Sequence, residues 1–351
     1  MTPTATISDV AILAGVSIKT VSRVVNREPN VRDKTRDVVN RAINQLNYRP
    51  SMAARGLAGG RSFLVGLLYG NASDSFLVEV QRGILLACRE NHYGLALCPA
   101  SEDSIDLVTE IFDWIRATQP DGLILSPPLS DNVALVEQLV EQGIKFVSVS
   151  SSGVGNGPAV LIDETEAAVQ MTNHLVDAGH RQIGFVKGPA DHMCSQLRFD
   201  GFCKAMAAAG IAVDKALVVD GDFHFASGVE AANILLAGET RPTAIFASND
   251  DMASGVIYVA HERGLAIPQD LAVAGFDDTP LSRQFWPGLS TVKQPIEQIG
   301  RRATERLMEE ISAQRHKQNG VKPNAPAPIV TNEILPFKLV LRASTQGSEV
   351  D

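Results

Sequence analysis

From residue 62 onward the chain alternates short apolar runs with amphipathic stretches, and it does so in two successive series. FLVGLLY, YGLALCP, DGLILS, KFVSVS and AVLID have the pattern of buried strands, with helical periodicity near 76–91, 104–117 and 131–142 between them. QIGFVKG, ALVVDG, TAIFASN and DLAVAGFDD form the second series, with helices near 166–178, 195–209, 226–237 and 250–263. Strands alternating with helices call for parallel sheets covered on their faces, and two such series call for two similar lobes. A ligand is then expected where the carboxyl ends of the two sets of strands face each other. The length, 351 residues, accommodates two or three domains, and 45% hydrophobic against 5% aromatic residues means aliphatic cores.

The first sixty residues follow a different rule. In TISDVAILAGVSIKTVSRVVN, residues 6–26, Ile7, Val10, Ala11 and Ala14 recur at helical spacing. Thr6 is placed to cap that helix with Asp9 three residues on. Gly15 suits a left-handed turn, and Ser17 suits the cap of a second helix starting near Ile18, with Val16, Val21 and Val24 inward. The other face of that helix carries Lys19, Thr20, Ser22, Arg23 and Asn26, groups suited to phosphates and base edges. Val38, Val39, Ala42, Ile43 and Leu46 mark a third helix packed across the first two.

A helix, a Gly turn and a helix are common, so charge has to decide between a plain helical bundle and a DNA-reading one. Residues 1–61 hold 10 Lys+Arg against 4 Asp+Glu, a net charge of +6 on a chain of −9, so the remainder stands at −15. A basic head on an acidic body fits a head that meets a polyanion.

The opening run, the segment TRDVVNRAINQLNYRPSMAARGLAGGRS, GHRQIGFVKGP, RFDGF, AIFASNDDMASG, VAGFDDTPLS, LSTVKQP and the closing LPFKLVLRAST together resemble a LacI/GalR-family transcriptional regulator over nearly the whole chain. The resemblance implies an α/β fold: an all-α helix-turn-helix headpiece, then a two-lobed core like that of periplasmic sugar-binding proteins. The expected domains are a DNA-binding domain over 1–50, a hinge over 51–61, a core over 62–345 and a tail over 346–351. Lobe 1 is expected over about 62–162 and 293–325, and lobe 2 over about 163–292 and 326–345.

The resemblance further implies that the hinge orders on DNA and inserts Leu57 into the minor groove, with Arg55 beside it. Gly56, just before Leu57, costs a helix roughly 1 kcal/mol relative to Ala, so the hinge is expected to order only on DNA. Thr6, Ser17, Ile18, Lys19, Thr20, Ser22, Arg23, Asn26 and Arg32 complete the expected DNA contacts. Ile18 suits thymine methyls, while Lys19 and Arg23 suit guanine acceptors. At the start of the third helix relatives usually have Ser, whereas this chain has Arg32; either Asp33 caps one residue later or Arg32 gains a phosphate contact.

Strand ends in the core offer Arg198, Asn249 and Asp277, suited to fixing sugar hydroxyls by charge-assisted hydrogen bonds, and the resemblance places effector contacts on the same three. It also places Phe223 and Trp286 along the cleft, where a flat ring stacks on a sugar or a base, and Phe76 as their counterpart from lobe 1. Two other readings apply to these residues: Arg198 and Asp277 as a loop-holding pair, and Phe223 and Trp286 as lobe packing. Relatives usually show Asp-Asn after the AVLI strand; Asp163-Glu164 here adds negative charge at the cleft's edge and argues against an anionic effector.

The expected function is a repressor of transcription whose affinity for a pseudo-palindromic operator in double-stranded DNA is set by a small-molecule effector, a saccharide, in a homodimer or a tetramer. An activator or a corepressor-dependent regulator of the same architecture remains open. A transporter's solute-binding protein fits the lobes but not the basic head, and no secretory leader precedes residue 6. An enzyme fits less well: GVGNGP at 153–158 lacks the spacing of a nucleotide loop, and the chain has no GxSxG or HExxH. Cys88, Cys98, Cys194 and Cys203 show no CxxC pair, so free thiols in the cytoplasm are expected, with no metal, no cofactor, no catalytic residue and no membrane contact.

Overall fold

The computed structural model describes residues 5–25, 31–48, 61–70, 73–100, 106–150, 157–318 and 332–346. Asn26, Arg55 and Leu57, and with them the expected hinge, lie outside the described residues. The chain divides into two compact units, residues 1–63 and 64–351.

Among its described residues the first unit has three helices, α1 (Ile7–Ala14), α2 (Ile18–Val25) and α3 (Asp33–Gln45). Thr6 and Asp9 form a reciprocal capping box: Asp9 N–H donates to Thr6 Oγ1 at 3.3 Å and Thr6 N–H to Asp9 Oδ2 at 2.8 Å. Gly15 closes α1 at φ 65°, a left-handed value that costs glycine nothing. Ser17 Oγ accepts from Thr20 N–H at 3.2 Å at the start of α2. Caps of this kind stabilise a helix by about 1 kcal/mol each, which matters for helices of only two turns. Val10, Ala11, Val21, Val24, Val39, Ala42 and Tyr48 form the core between them. Tyr48, after α3, joins this core, whereas Val38, expected to face it, is half-buried. Arg32 precedes α3 with no side-chain cap, and Asp33 is already helical.

The second unit holds two six-stranded sheets. The first has the order β11-β5-β4-β3-β1-β2, from β1 (Leu64–Tyr69), β2 (Gly94–Pro99), β3 (Gly122–Leu125), β4 (Phe146–Val149), β5 (Ala159–Leu161) and β11 (Glu333–Ile334). All of its pairings are parallel. The second has the order β12-β10-β9-β8-β6-β7, from β6 (Ile183–Lys187), β7 (Val218–Asp220), β8 (Ala244–Ala247), β9 (Ala272–Asp277), β10 (Ser290–Lys293) and β12 (Lys338–Val340). Only β12 runs antiparallel, against β10.

Helices α4 (Asp74–Glu90), α5 (Leu107–Thr118), α6 (Val133–Glu141) and α11 (Ile296–Gln318) belong to the first lobe. Helices α7 (Glu164–Asp177), α8 (Met193–Ala208), α9 (Phe225–Ala237) and α10 (Asp250–Glu262) belong to the second. The nine strands expected from the two series are all present, and the helices start and stop within a few residues of the expected positions. One boundary differs. Glu333–Ile334 pairs with β5, so the chain is still in lobe 1 at 334, where lobe 2 was expected from about 326. Arg302 on α11 holds that edge, its Nε donating to Glu333 Oε1 at 2.8 Å.

Among the described residues three helix pairs touch backbone to backbone at glycines: α4 with α11, α9 with α10, and α7 with α8 through Gly201, where a Cβ would lie 2.4 Å from the Thr165 carbonyl oxygen. A Cβ on Gly83 of α4 would lie 1.9 Å from the Glu297 carbonyl oxygen of α11, and one on Gly228 of α9 would lie 2.2 Å from the Met252 carbonyl oxygen of α10. No helix among the described residues is long and apolar enough to cross a membrane.

Candidate functional site

Between the lobes lies a pocket. Lobe 1 lines it with Ser73, Phe76, Pro127 and Ser150; lobe 2 lines it with His192, Cys194, Arg198, Phe223, Asn249 and Asp277. The topology produces this convergence, because the segments after β1, β3, β4, β6, β7, β8 and β9 all leave the carboxyl ends of their strands.

Arg198 is not at a strand end but in the second turn of α8. Side chains on a helix lean toward its N-terminus, so the guanidinium returns to the ends of β6 and β8. Its Nε donates to Glu164 Oε2 at 2.8 Å and its Nη1 to the Ser248 carbonyl at 2.5 Å. The Asp277 carboxylate is 4.0 Å from Nη1, and the Phe276 ring lies 3.8 Å beneath the guanidinium. The principal partner of Arg198 is therefore Glu164. Glu164 does not sit at the cleft's edge as expected; it is the buried first residue of α7, 3% exposed. Burial disfavours the guanidinium charge, but the Glu164 carboxylate and its neighbours outweigh that and hold Arg198 more firmly protonated than usual.

Asn249 caps α10 through Met252 N–H at 2.9 Å and donates to the Phe223 carbonyl at 2.8 Å. Phe223 itself has φ 69° and is 6% exposed. Its ring occupies the space that a Cβ on Gly188 would enter, at 2.2 Å, and meets His192 edge-on at 5.4 Å. Asp277 ends β9 and accepts from Gln294 Nε2 at 2.7 Å. Behind it Asp250 ties the loop after β9 to strand β10, accepting from Thr279 N–H at 2.8 Å and from Thr291 Oγ1 at 2.6 Å.

Burial raises Asp277 to about 7, against the opposing pull of Arg198; burial and Asp277 together hold Asp250 well above the usual carboxylate range. A raised native value means that the folded chain binds the proton more tightly than the unfolded chain. The Asp277 contribution to stability is therefore full below pH 4 and declines as the pH rises to about 7. Asp277→Asn, which keeps an acceptor for Gln294, is expected to remove that slope. Urea unfolding of both proteins from pH 4 to pH 8 checks it: the stability difference, wild type minus variant, falls with rising pH and flattens above 7, whereas a constant difference refutes it.

Trp286 does not join these residues. It is 86% exposed, beyond the short turn Pro280–Arg283, and is not among those that line the pocket. Phe223 and Phe76 already occupy the aromatic positions there. Ser73, Pro127, Ser150, His192 and Cys194 were not anticipated. His192 is 2% exposed with Nε2 lacking a partner, and Ser150 Oγ is likewise buried without one, among the described residues. The available signal for His192 was its place at the start of α8, where capping residues normally stand and where it makes no cap. Cys194 is a lining group and not a nucleophile, since burial pushes its thiol up to about 12.

Among the described residues three contacts beside the pocket cross between lobes. Ser73 Oγ, at the N-cap of α4, donates to Asp251 of α10, Ser75 Oγ donates to Asp251 Oδ1 at 3.5 Å, and Met193 N–H, the first residue of α8, donates to Asp131 Oδ2 of lobe 1 at 3.1 Å. Among the described residues no cluster of His, Cys, Asp and Glu is arranged to hold a metal ion, and all four cysteines are free.

In the headpiece Ser17, Ile18, Lys19 and Arg23 are exposed and Thr20 and Ser22 half-buried, while Val21 and Val24 are buried. The outward face of α2 is thus the polar one, as the periodicity requires. Arg32 is exposed before α3. Thr6 and Ser17 are engaged as caps, so any contact they make outside the headpiece is additional to that role.

Comparison with known proteins matches residues 6–51 to the bacterial regulatory proteins of the lacI family and residues 172–345 to a periplasmic binding protein-like domain. Catabolite control protein A of Priestia megaterium is 38% identical over 299 residues, 84% of this chain and 89% of that protein. The lac repressor dimer bound to operator and the anti-inducer ONPF superposes with a TM-score of 0.77 at 29% identity, covering 98% of this chain and 99% of that one. The transcriptional regulator CelR in complex with cellobiose gives 0.71 at 29% identity, covering 97% and 99%. The headpiece, the two-lobed core and these likenesses over most of both chains agree: this chain is a DNA-binding transcriptional regulator of the lacI family, not an enzyme.

Proposed function

We propose that this chain is a homodimeric, cytoplasmic repressor whose affinity for operator DNA is set by a saccharide bound between the lobes. The observation that carries the proposal is that the pocket takes its lining from both lobes. A molecule there touches Ser73, Phe76 and Ser150 on one side and Arg198, Asn249 and Asp277 on the other, so its binding energy depends on how the lobes are set. The Ser73–Asp251 and Asp131–Met193 contacts depend on the same setting.

The chemistry suits a polyol. Asp277 supplies an acceptor and Arg198 a donor for bidentate recognition, and His192 and Ser150 offer further polar atoms. Phe76 and Phe223 supply rings for the apolar face of a sugar. The relative solved with cellobiose is a regulator of matching length. At the other end, Lys19 and Arg23 on the exposed face of α2 are proposed to read base edges, with Ile18 against thymine methyls. Arg32 is proposed to meet a phosphate, and Arg55, Leu57 and Asn26 to add contacts nearby. Two headpieces in a dimer would then occupy successive major grooves.

Fluorescence anisotropy of the full chain on duplexes from the region upstream of its gene tests this. A specific complex that weakens steeply with salt, and whose Kd rises about tenfold or more with one saccharide of a screened set, is the expected result. Specific binding that no saccharide alters refutes the effector assignment, and absence of specific binding under all conditions refutes the repressor assignment.

A further inference from the structure

The ten pocket residues include one permanent cation, Arg198, and that cation is already matched. Glu164 does not line the pocket. It lies behind Arg198, 3% exposed, with Oε2 on Nε at 2.8 Å and Oε1 buried with no partner among the described residues. Asp277, 4.0 Å from the same guanidinium, supplies a second carboxyl group on the pocket side. Among the described residues no lysine and no other arginine reaches the lining.

This arrangement bears on the charge of the ligand. A phosphate or carboxylate is held in a closed site by cations or by helix N-termini with charge to spare. The one guanidinium here faces two carboxyl groups, with Phe276 covering one of its faces. Burial leaves little water to screen an added negative charge, so Glu164, and Asp277 in its ionised form, repel it more strongly than they would in bulk water. An uncharged polyol makes no such demand. It uses Asp277 as acceptor and the Nη2 of Arg198, which makes no hydrogen bond among the described residues, as donor. An amine adds a favourable partner for Asp277.

We propose that Glu164 is a positioning residue that acts through Arg198: by neutralising the guanidinium it restricts the cleft to uncharged or amine-bearing ligands and excludes phosphorylated and carboxylated ones. This rests on the saccharide reading above and narrows it. If Glu164 served only to hold Arg198 in place, exchanging its charge for an amide of the same shape would weaken all ligands alike. If it sets charge selectivity, the exchange changes the ratio between charged and uncharged ligands.

The test uses charge-matched probes on the full chain. Thermal-shift and calorimetric titrations compare glucose with glucose 6-phosphate, glucuronate and glucosamine; ribose with ribose 5-phosphate; and cellobiose with cellobionate. In the wild type the binder is expected to be a neutral sugar or glucosamine, at least about tenfold tighter than its anionic counterpart. Glu164→Gln is expected to shrink that ratio by about tenfold with the neutral sugar changed less than about threefold, while Glu164→Asp preserves the ratio. An anionic probe that binds the wild type as tightly as its neutral counterpart overturns the inference and leaves the saccharide reading standing. An unaltered ratio in Glu164→Gln overturns the role of Glu164. Should that variant not fold, the wild-type ratio and Glu164→Asp decide. A chain silent to every probe, neutral and charged, overturns the saccharide reading and this inference with it.

Discussion

Arg198→Ala is expected to lower the stability of the two-lobed core by about 3–5 kcal/mol, the usual effect of removing one partner from a buried ion pair. The reason is what remains behind. Glu164 is 3% exposed and Asp277 4% exposed, and without the guanidinium neither has a cation to face. The Ser248 carbonyl loses its donor as well. Relief follows by protonation of Asp277, whose carboxyl burial raises to about 7, so the loss is greatest at high pH and shrinks toward pH 5. Urea unfolding at pH 8 and pH 5 measures it, and the combination Arg198→Met with Glu164→Gln is expected to regain part of the loss because it removes both charges of the pair. A loss below about 1 kcal/mol at pH 8 contradicts the placement of Arg198 as a buried, paired cation.

Gly83→Val is expected to cost about 3 kcal/mol, the upper end of the range for overpacking, since the obstruction is backbone and not a side chain that can swing aside. A Cβ at Gly83 would lie 1.9 Å from the Glu297 carbonyl oxygen and 2.8 Å from the Arg301 nitrogen. Gly300 of α11 makes the reciprocal approach, 2.4 Å from the Val80 carbonyl oxygen. The crossing of α4 and α11 covers the first sheet, with Ile84, Ile299, Ala303 and Leu307 buried against it. Separating the helices therefore loosens the lobe. A lowered urea midpoint with unchanged m-value is the expected reading, and a midpoint equal to wild type contradicts the close approach.

Much of this architecture is legible in the residues because its elements are long and strictly periodic. Apolar runs such as TAIFASN and DLAVAGFDD have no polar face to offer solvent, so they are central parallel strands wherever they occur. Thr6, Asp9, Gly15 and Ser17 declare the headpiece through local bonds within four residues, which sequence spacing captures well. What sequence alone did not give is non-local. Glu333–Ile334 is a two-residue strand and has no periodicity to detect. Glu164 and Arg198 are 34 residues apart, and nothing in the DETE run distinguishes an acid facing water from one that turns inward onto a guanidinium.

Of the cleft residues, Phe76, Arg198, Phe223, Asn249 and Asp277 converge on one pocket, while Trp286 stands in solvent. An aromatic residue in a sequence signals area to be buried, but not where: of the two rings expected along the cleft from lobe 2, Phe223 packs in against Gly188 and Trp286 does not. His192 and Ser150 were missed for the complementary reason. Each is unremarkable in sequence and becomes informative only when its polar atom is found buried without a partner.

The central claim is that the cleft and the DNA-reading helix share one equilibrium, and linkage makes that claim reciprocal. The most direct measurement is calorimetric titration of the saccharide identified by thermal shift into the full chain, once free and once saturated with its operator duplex. The account predicts that the saccharide Kd differs between the two by about the same factor, tenfold or more, by which the saccharide changes the operator Kd. Equal saccharide affinities for the free and the DNA-bound chain would contradict it.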